Sequence, residues 1–303
     1  MTYNKYGPYL KETFGSAVYK ITVDAGFTCP NRDGSKGVGG CTYCNNEKFF
    51  QDNGKDILSV KEQVLKKISY RKRKKLEKYI VYFQTYSNTY GSTDYLKSLY
   101  ESVLDIKNVI GIAIGTRVDC IDDEKLKLLK EISNSHYVCL EYGLESISNE
   151  TLSRINRGHD IDCFVETVKK THEYGIDICA HLMFGFPWES QKIAKESALF
   201  LNQLPIKFVK IHQLQIVKNS IMGNDYKKSA FQLLGKNDYL NYLLDFLTAL
   251  NPKTVVQRVA GDCPAEILIA AGFSESSINI AFELDQKMKE LELLQGISFK
   301  EAQ

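Results

Sequence analysis

The sequence predicts an α/β protein, a partial (β/α)6 TIM-like barrel with a C-terminal helical extension. Short apolar, β-rich runs alternate with longer amphipathic runs between residues 17 and 250. Parallel strands need a crossover of a dozen or more residues, and helices supply it. The strand runs are close to continuously hydrophobic, as a sheet covered on both faces requires. A complete eight-unit barrel takes about 250 residues, whereas six strand–helix units fill this stretch. A doubly wound open sheet is the second-best arrangement.

Taken in order, strands are expected at Ala17–Val23, Tyr79–Gln84, Val109–Ile114, Val138–Gly143, Asp177–Phe184 and Phe208–Val217. Each is short and rich in β-branched and aromatic residues. Helices are expected at Val60–Leu76, Thr93–Ile106, Asp122–Ile132, Asp162–Tyr174, Glu189–Leu204 and Asp238–Leu250, where apolar residues recur at helical spacing. Two further helices, Ala265–Ala271 and Ala281–Leu294, would form the extension. The division implied is an N-terminal segment (1–16), a core barrel (17–250) and an extension (251–303) closing the barrel mouth.

The 303 residues are 44% hydrophobic and 25% charged, which is ample apolar material for a core. Thirty-nine Lys+Arg against 37 Asp+Glu leave a formal charge of +2, so no global imbalance points to nucleic acid or a membrane. No run approaches the roughly 20 apolar residues of a membrane helix. The residues after Met1 lack the apolar core of a signal peptide. A cytoplasmic location without a membrane partner is the expectation. Eight cysteines are then reduced thiols, metal ligands or catalytic groups rather than disulfides.

The longest irregular stretch, Asp24 to about Asp56, directly follows the first strand. Loops after strands sit at the C-terminal face of a barrel, where active sites are built. This one reads Cys29-Pro-Asn-Arg-Asp-Gly-Ser-Lys-Gly-Val-Gly-Gly-Cys41-Thr-Tyr-Cys44. The C-x-x-C pair lets two thiolates share one metal or two corners of a cluster. Gly34, Gly37, Gly39 and Gly40 let the backbone fold tightly around a bulky centre. Three readings compete. Zinc would need a distant fourth ligand, the nearest histidine in sequence being His136. A redox dithiol would leave Cys29 idle. A [4Fe–4S] cluster held by three cysteines leaves one iron open, and accounts together for the third cysteine, the glycines and the place on the barrel.

This Cys-x11-Cys-x2-Cys loop after the first strand of a partial barrel resembles that of a radical S-adenosylmethionine (SAM) enzyme. The long spacing resembles the branch containing the Elongator catalytic subunit and coproporphyrinogen-oxidase-like (HemN-like) proteins. The text CPNRDGSKGVGGCTYC is most similar to the YhcC/YtqA-like family. The resemblance implies that Cys29, Cys41 and Cys44 ligate a [4Fe–4S] cluster whose open iron binds SAM, with Tyr43 beside the adenine. It implies one-electron reductive cleavage of SAM to methionine and a 5′-deoxyadenosyl radical, with an external electron donor such as flavodoxin or ferredoxin.

It also implies a set of SAM contacts. Gln84 and Asn88 stand in the polar run after the second strand, where they could equally serve as turn and helix-cap groups. Glu145, in Gly143-Leu-Glu145-Ser146, resembles the carboxylate that accepts from the ribose diol. Arg157, in Asn156-Arg157-Gly158, resembles the fork that pairs with the SAM carboxylate. On the fifth strand His181 would face the interior, and the Gly185-Phe-Pro187 turn would approach the adenine through its backbone.

Candidates for the substrate follow from strand ends and alternation. Arg117 and Asp119 follow the third strand, Glu141 shares a face with Gly143 and Glu145, and His212 lies on the sixth strand. His212 and Gln215 cannot both face the interior of one regular strand. Arg258 precedes, and Asp262 belongs to, the run Gly261-Asp262-Cys263-Pro264, which resembles the branch's Gly-Asp-x-Pro segment. A basic run, with Lys67, Arg71, Arg73 and Lys74 as the candidates, could hold phosphates, although such a run also suits a solvated helix face. The branch is associated with tRNA wobble-uridine side chains, so the resemblance implies a tRNA substrate carrying an aminomethyl-type group at uridine C5. A small molecule of the coproporphyrinogen type and a non-enzymatic zinc module are the alternatives.

Overall fold

The computed structural model describes residues 1–45, 59–71 and 78–300. Seven strands form one sheet: β1 (Val18–Val23), β2 (Lys78–Phe83), β3 (Val109–Thr116), β4 (Tyr137–Glu145), β5 (Asp177–Phe184), β6 (Phe208–Gln213) and β8 (Val255–Arg258). Their order is β1-β2-β3-β4-β5-β6-β8, and every pairing is parallel. In a flat sheet β1 and β8 would lie roughly 29 Å apart. Instead Lys20 Nζ on β1 donates to Gln257 Oε1 on β8 at 2.9 Å. The sheet is therefore curled into a half-barrel, as the sequence predicts.

Helices α2 (Val60–Arg71), α3 (Thr93–Leu104), α4 (Asp123–Ser133), α5 (Asn149–Arg154), α6 (Ile161–Glu173) and α7 (Lys192–Leu201) follow β1 to β5 on the convex side. Their starts are fixed by caps that the sequence supplies: the side chains of Ser92, Asp122, Ser148 and Asp160 accept from backbone amides three residues on. The outward residues of the strands, such as Leu140, Tyr142, Ala180 and Leu182, pack against these helices in the main core.

The concave side is layered by strand alternation. At the N-terminal end, Ile80, Ala113, Cys139, Cys179, Phe208 and Val255 form an apolar base. One step further along the strands come Lys20, Tyr82, Glu141, His181 and Lys210, a polar ring above that base. An N-terminal helix, α1 (Tyr6–Phe14), plugs the base, with Leu10 buried and Tyr6 and Tyr9 edge-on to Phe208.

Several elements differ from the sequence expectation, among them α1, a helix in the segment (1–16) for which none was expected. The single sixth strand is two: β6 ends at Gln213, and after Leu214 the chain begins β7 (Gln215–Val217) in a different sheet. The helix expected at Ala265–Ala271 is a strand, β9 (Leu268–Ala271), pairing antiparallel with β7. Its residues favour a helix locally, and the open edge of β7 overrides that preference. The seventh sheet strand, β8, lies beyond residue 250 and was not anticipated. Helices α8 (Ile221–Lys228), α9 (Lys236–Ala249) and α10 (Ser277–Glu290) complete the chain. Thr2 and Lys5 both reach Asp285 of α10, clasping the two ends of the chain together. No helix of the described residues is long and apolar enough to cross a membrane.

Candidate active site at the barrel mouth

A cavity of about 330 Å³ opens at the C-terminal ends of the strands, within the size range of small-molecule sites. Cys29, Cys41 and Cys44 all line it. The loop that carries them is held from several sides. Arg32 Nη2 donates to Cys44 O at 2.6 Å, Asn31 Nδ2 donates to Asn156 O at 2.6 Å, and the Thr42 amide donates to Ile155 O at 2.9 Å. Gly40 sits at φ +76°, and a Cβ there would fall 2.7 Å from Arg32 Nε, so this turn requires glycine. Residues 46–56 of the expected loop lie outside the described residues.

The donor set suits a cluster better than a single ion. Among the described residues, the one group of three metal-ligating side chains within 4.8 Å of one another is Glu141, Cys179 and His181, so the three loop sulfurs are spread more widely. A tetrahedral zinc with 2.3 Å bonds would draw its sulfurs to roughly 3.8 Å. Burial, then the charge of Cys41, pushes the Cys44 thiol up to about 12, so the thiolates need a cationic centre to share. Asn31 Nδ2 and Arg157 Nη1 both point at Cys41 Sγ, at 3.8 and 3.6 Å, as donors that stabilise a thiolate.

Next to the cysteines lies a pair built for a zwitterion. Arg157, 6% exposed, donates through Nη2 to Gly143 O at 2.5 Å and lies 3.8 Å from Glu145 Oε1. Its Nε is buried without a partner among the described residues, an orphan donor that a carboxylate would satisfy. A Cβ on Gly143 would fall on both Arg157 and Glu145, so only glycine leaves them room. Glu145 sits at φ +70°, where β4 slips register against β5. Such strain in a non-glycine residue is kept where the site needs it. Burial raises the Glu145 carboxyl in spite of Arg157. Tyr43, Gln84 and Thr85 also line the cavity, and Thr85 Oγ1 is a second buried polar atom without a partner among the described residues. The residues present fit a [4Fe–4S] cluster with SAM.

Two expected SAM contacts are not among the residues that line the cavity. Asn88 is buried outside the cavity, its Nδ2 donating to Thr85 O and Gly115 O at 2.9 Å each, which ties the loop after β2 to β3. Gly185, at φ +102°, also lies outside the lining, with Leu234 against the place a Cβ would take.

Arg117 lines the cavity wall at 3% exposure. Asp119 does not line it, but holds Arg117 in a fork of 2.8 and 2.9 Å, so Asp119 orients rather than contacts. Burial works against ionisation of Asp119, but Arg117 outweighs it and brings its carboxyl down to about 2.

The polar ring is the cavity floor. Glu141, fully buried, accepts from Lys20, from His181 Nε2 at 2.9 Å and from Lys210 at 3.1 Å, while Lys210 also bonds Tyr82 OH at 2.8 Å. Burial opposes the charge on Glu141, yet Lys20, Lys210 and His181 together hold its carboxyl well below the usual range. Burial brings Lys210 down to about 8 and His181 down to about 4. Two ammonium groups beside Glu141 leave no room for a cation at Glu141, Cys179 and His181.

The break at Leu214 settles the sixth-strand register: His212, Gln213 and Gln215 all line the cavity. Gln213 exchanges two bonds with the Gly261 backbone, at 2.8 and 2.9 Å, pinning the segment after β8 over the mouth. Asp262 lines the rim and accepts from the Ser277 amide and hydroxyl at 2.7 and 2.5 Å, capping α10. Arg258 lies against His212, with Nη2 2.6 and 2.8 Å from its ring nitrogens.

The basic run divides. Lys67 donates to Thr22 O at 2.6 Å, bracing α2 on β1. Arg71 ends α2 and Lys78 opens β2, so both stand at the N-terminal edge of the sheet, opposite the cavity. Arg73 and Lys74 lie outside the described residues. Sequence reasoning missed Lys20, Tyr82, Thr85 and Gln213. A lysine inside Val18-Tyr-Lys20-Ile-Thr-Val23 is the signal that could have found the first.

A curled parallel half-barrel with three thiolates over a cavity at its C-terminal rim defines an enzyme that works through an iron–sulfur centre. The model of the radical SAM superfamily matches residues 29–201, and that of the radical SAM C-terminal domain matches residues 206–290. The chain is 34% identical to the uncharacterized protein YtqA of Bacillus subtilis, covering 98% of this chain and 93% of that one. It is 33% identical to protein YhcC of Escherichia coli over 95% and 92%. A tRNA uridine(34) acetyltransferase of Methanocaldococcus infernus is 22% identical over 53% of this chain and 30% of its own. The solved structure of Methanocaldococcus infernus Elp3, lacking its N-terminus, shares the fold, with a TM-score of 0.73 at 16% identity. The match covers 92% of this chain and 64% of that one. The chain belongs to the radical SAM superfamily, whose enzymes bind a [4Fe–4S] cluster and SAM and need a reductant.

Proposed function

We propose that this radical SAM enzyme modifies a wobble-uridine side chain, an aminomethyl-type group at C5, in tRNA. The relationship to a protein named for tRNA uridine 34 carries the reading. The cavity supports it: Arg32, Arg117, Arg157, Lys210 and Arg258 line it against Glu141, Glu145 and Asp262, an excess of positive charge suited to a nucleotide. The basic run supplies less, because Arg71 and Lys78 stand at the far end of the barrel.

In this reading Cys29, Cys41 and Cys44 hold the cluster, and Tyr43, Gln84, Glu145 and Arg157 surround SAM. Together the two groups supply a 5′-deoxyadenosyl radical by one-electron cleavage of SAM, the electron coming from a donor such as flavodoxin or ferredoxin. The protein's own work is positioning and exclusion of water. Arg157 aligns the SAM carboxylate, Glu145 accepts from the ribose, and His181, held neutral, hydrogen-bonds Glu141 and keeps the floor in place. In this reading the extension (251–303) supplies Arg258 at the end of β8 and, after that strand, Asp262 at the cavity rim, and it closes the mouth. A cytoplasmic location, with tRNA and the donor at hand, completes the reading.

Nucleoside mass spectrometry of tRNA from a deletion strain tests the substrate. Loss of one C5-substituted wobble uridine, with its precursor accumulating, is the expected result. An unchanged wobble-uridine profile contradicts it.

A further inference from the structure

Two cationic side chains line the cavity floor from β6 and β8, Lys210 and Arg258, and a third, Lys20 of β1, joins them through Glu141 without lining the cavity. The floor offers one carboxylate, Glu141, and it is committed to both lysines and to His181. Arg258 has no carboxylate within ion-pair distance among the described residues, and its Nε is buried without a partner. What it touches is a neutral ring: its Nη2 lies 2.8 Å from His212 Nδ1. Burial, then Arg258 itself, holds His212 well below its ordinary value, so no second charge competes there. Glu141 and Asp262 act on it only from beyond ion-pair distance, and a largely buried guanidinium without a close counter-ion is costly unless an anion arrives.

The surroundings are shaped to keep this pair. Lys210 and Arg258 are register partners across β6 and β8, so Arg258 is fixed by the sheet. A Cβ on Gly261 would fall 2.7 Å from His212 Nδ1 and 3.5 Å from Arg258 Nη2, so only glycine lets the closing segment pass. Gln213 anchors that glycine through both of its backbone groups.

We infer that Arg258, seated on His212, is an anion subsite that receives a carboxylate or phosphate carried by the substrate and sets which substrates the cavity accepts. The two sources are a carboxylate on the uridine side chain and a backbone phosphate of the same nucleotide. This assignment of sources rests on the tRNA reading, whereas the subsite itself does not.

Sodium acetate and inorganic phosphate, titrated separately at constant ionic strength into the cluster-loaded enzyme with SAM, test the inference through thermal unfolding, since a ligand that binds the folded state raises its midpoint. A saturable rise is expected in the wild type. Half-saturation should move at least about tenfold upward in Arg258→Gln, the scale of losing a charge-assisted hydrogen bond. Arg258→Lys, which keeps the charge but not the fork, should fall between. The stronger of the two anions identifies the source. Iron content and SAM affinity, measured on the same samples, separate a folding defect from a lost subsite. The inference is overturned if Arg258→Gln saturates as the wild type does, if the wild type shows no saturable rise, or if SAM affinity falls as far as anion affinity does. An unchanged nucleoside profile in the deletion strain would instead remove the tRNA reading and leave the subsite standing.

Discussion

Arg157 Nη1 lies 3.6 Å from Cys41 Sγ, so one guanidinium touches both a candidate cluster ligand and, through an Nε unpaired among the described residues, the space beside it. Replacing it separates the two roles. Arg157→Gln should keep the iron but weaken SAM binding at least about tenfold, because a charge-assisted fork to a carboxylate is lost. Equilibrium binding of SAM to the reconstituted variant checks this, and unchanged affinity would refute the assignment.

Glu141 anchors the floor by holding two lysines and a histidine at zero exposure. Removing one partner of a buried ion cluster strands the others, at a cost of about 3–5 kcal/mol. Glu141→Leu should therefore lower unfolding stability by that amount in urea titrations. The double variant Glu141→Leu with Lys210→Met should recover part of the loss, since fewer charges are then left unpaired.

Acid should weaken the fold through His181. Burial, reinforced by Lys210, lowers it from 6.5 to about 4. The unfolded chain therefore takes up a proton as pH falls below 6.5, while the folded chain does not until near 4. Stability is full above 6.5 and declines between those values, by about 2 kcal/mol from pH 7 to pH 5 for this group alone. Urea midpoints at the two pH values measure the slope, and His181→Gln should flatten it. An equal slope in the variant would mean that other groups carry it.

Much of the fold was legible because its signals are local and repeated. Alternation of β-rich and amphipathic runs located the first five strands of the sheet to within a few residues. What escaped depends on distant partners. β8 is four residues long and becomes a strand by pairing with β6, and β9 is helix-favouring sequence captured by β7. α1 carries Gly7 and Pro8 in its first turn, which masks a helix that the barrel base stabilises.

The site divides the same way. The cysteine spacing is a local pattern, and all three cysteines line the cavity. The resemblance puts Asn88 and Gly185 at SAM; neither lines the cavity, Asn88 giving its Nδ2 to two carbonyls while its Oδ1 is buried without a partner among the described residues, and Leu234 standing against Gly185. Lys20 and Tyr82 join the floor only because the sheet curls, a property of no single segment.

We propose that Cys29, Cys41 and Cys44 hold a [4Fe–4S] cluster that cleaves SAM. Anaerobic reconstitution followed by iron, sulfide and 5′-deoxyadenosine analysis tests it most directly, in the wild type and in Cys29→Ala, Cys41→Ala and Cys44→Ala. The wild type should be a brown protein with about four irons and four sulfides per chain that forms 5′-deoxyadenosine from SAM once reduced, and each variant should lose both properties. A colourless, well-folded wild type holding one zinc and producing no 5′-deoxyadenosine would contradict it.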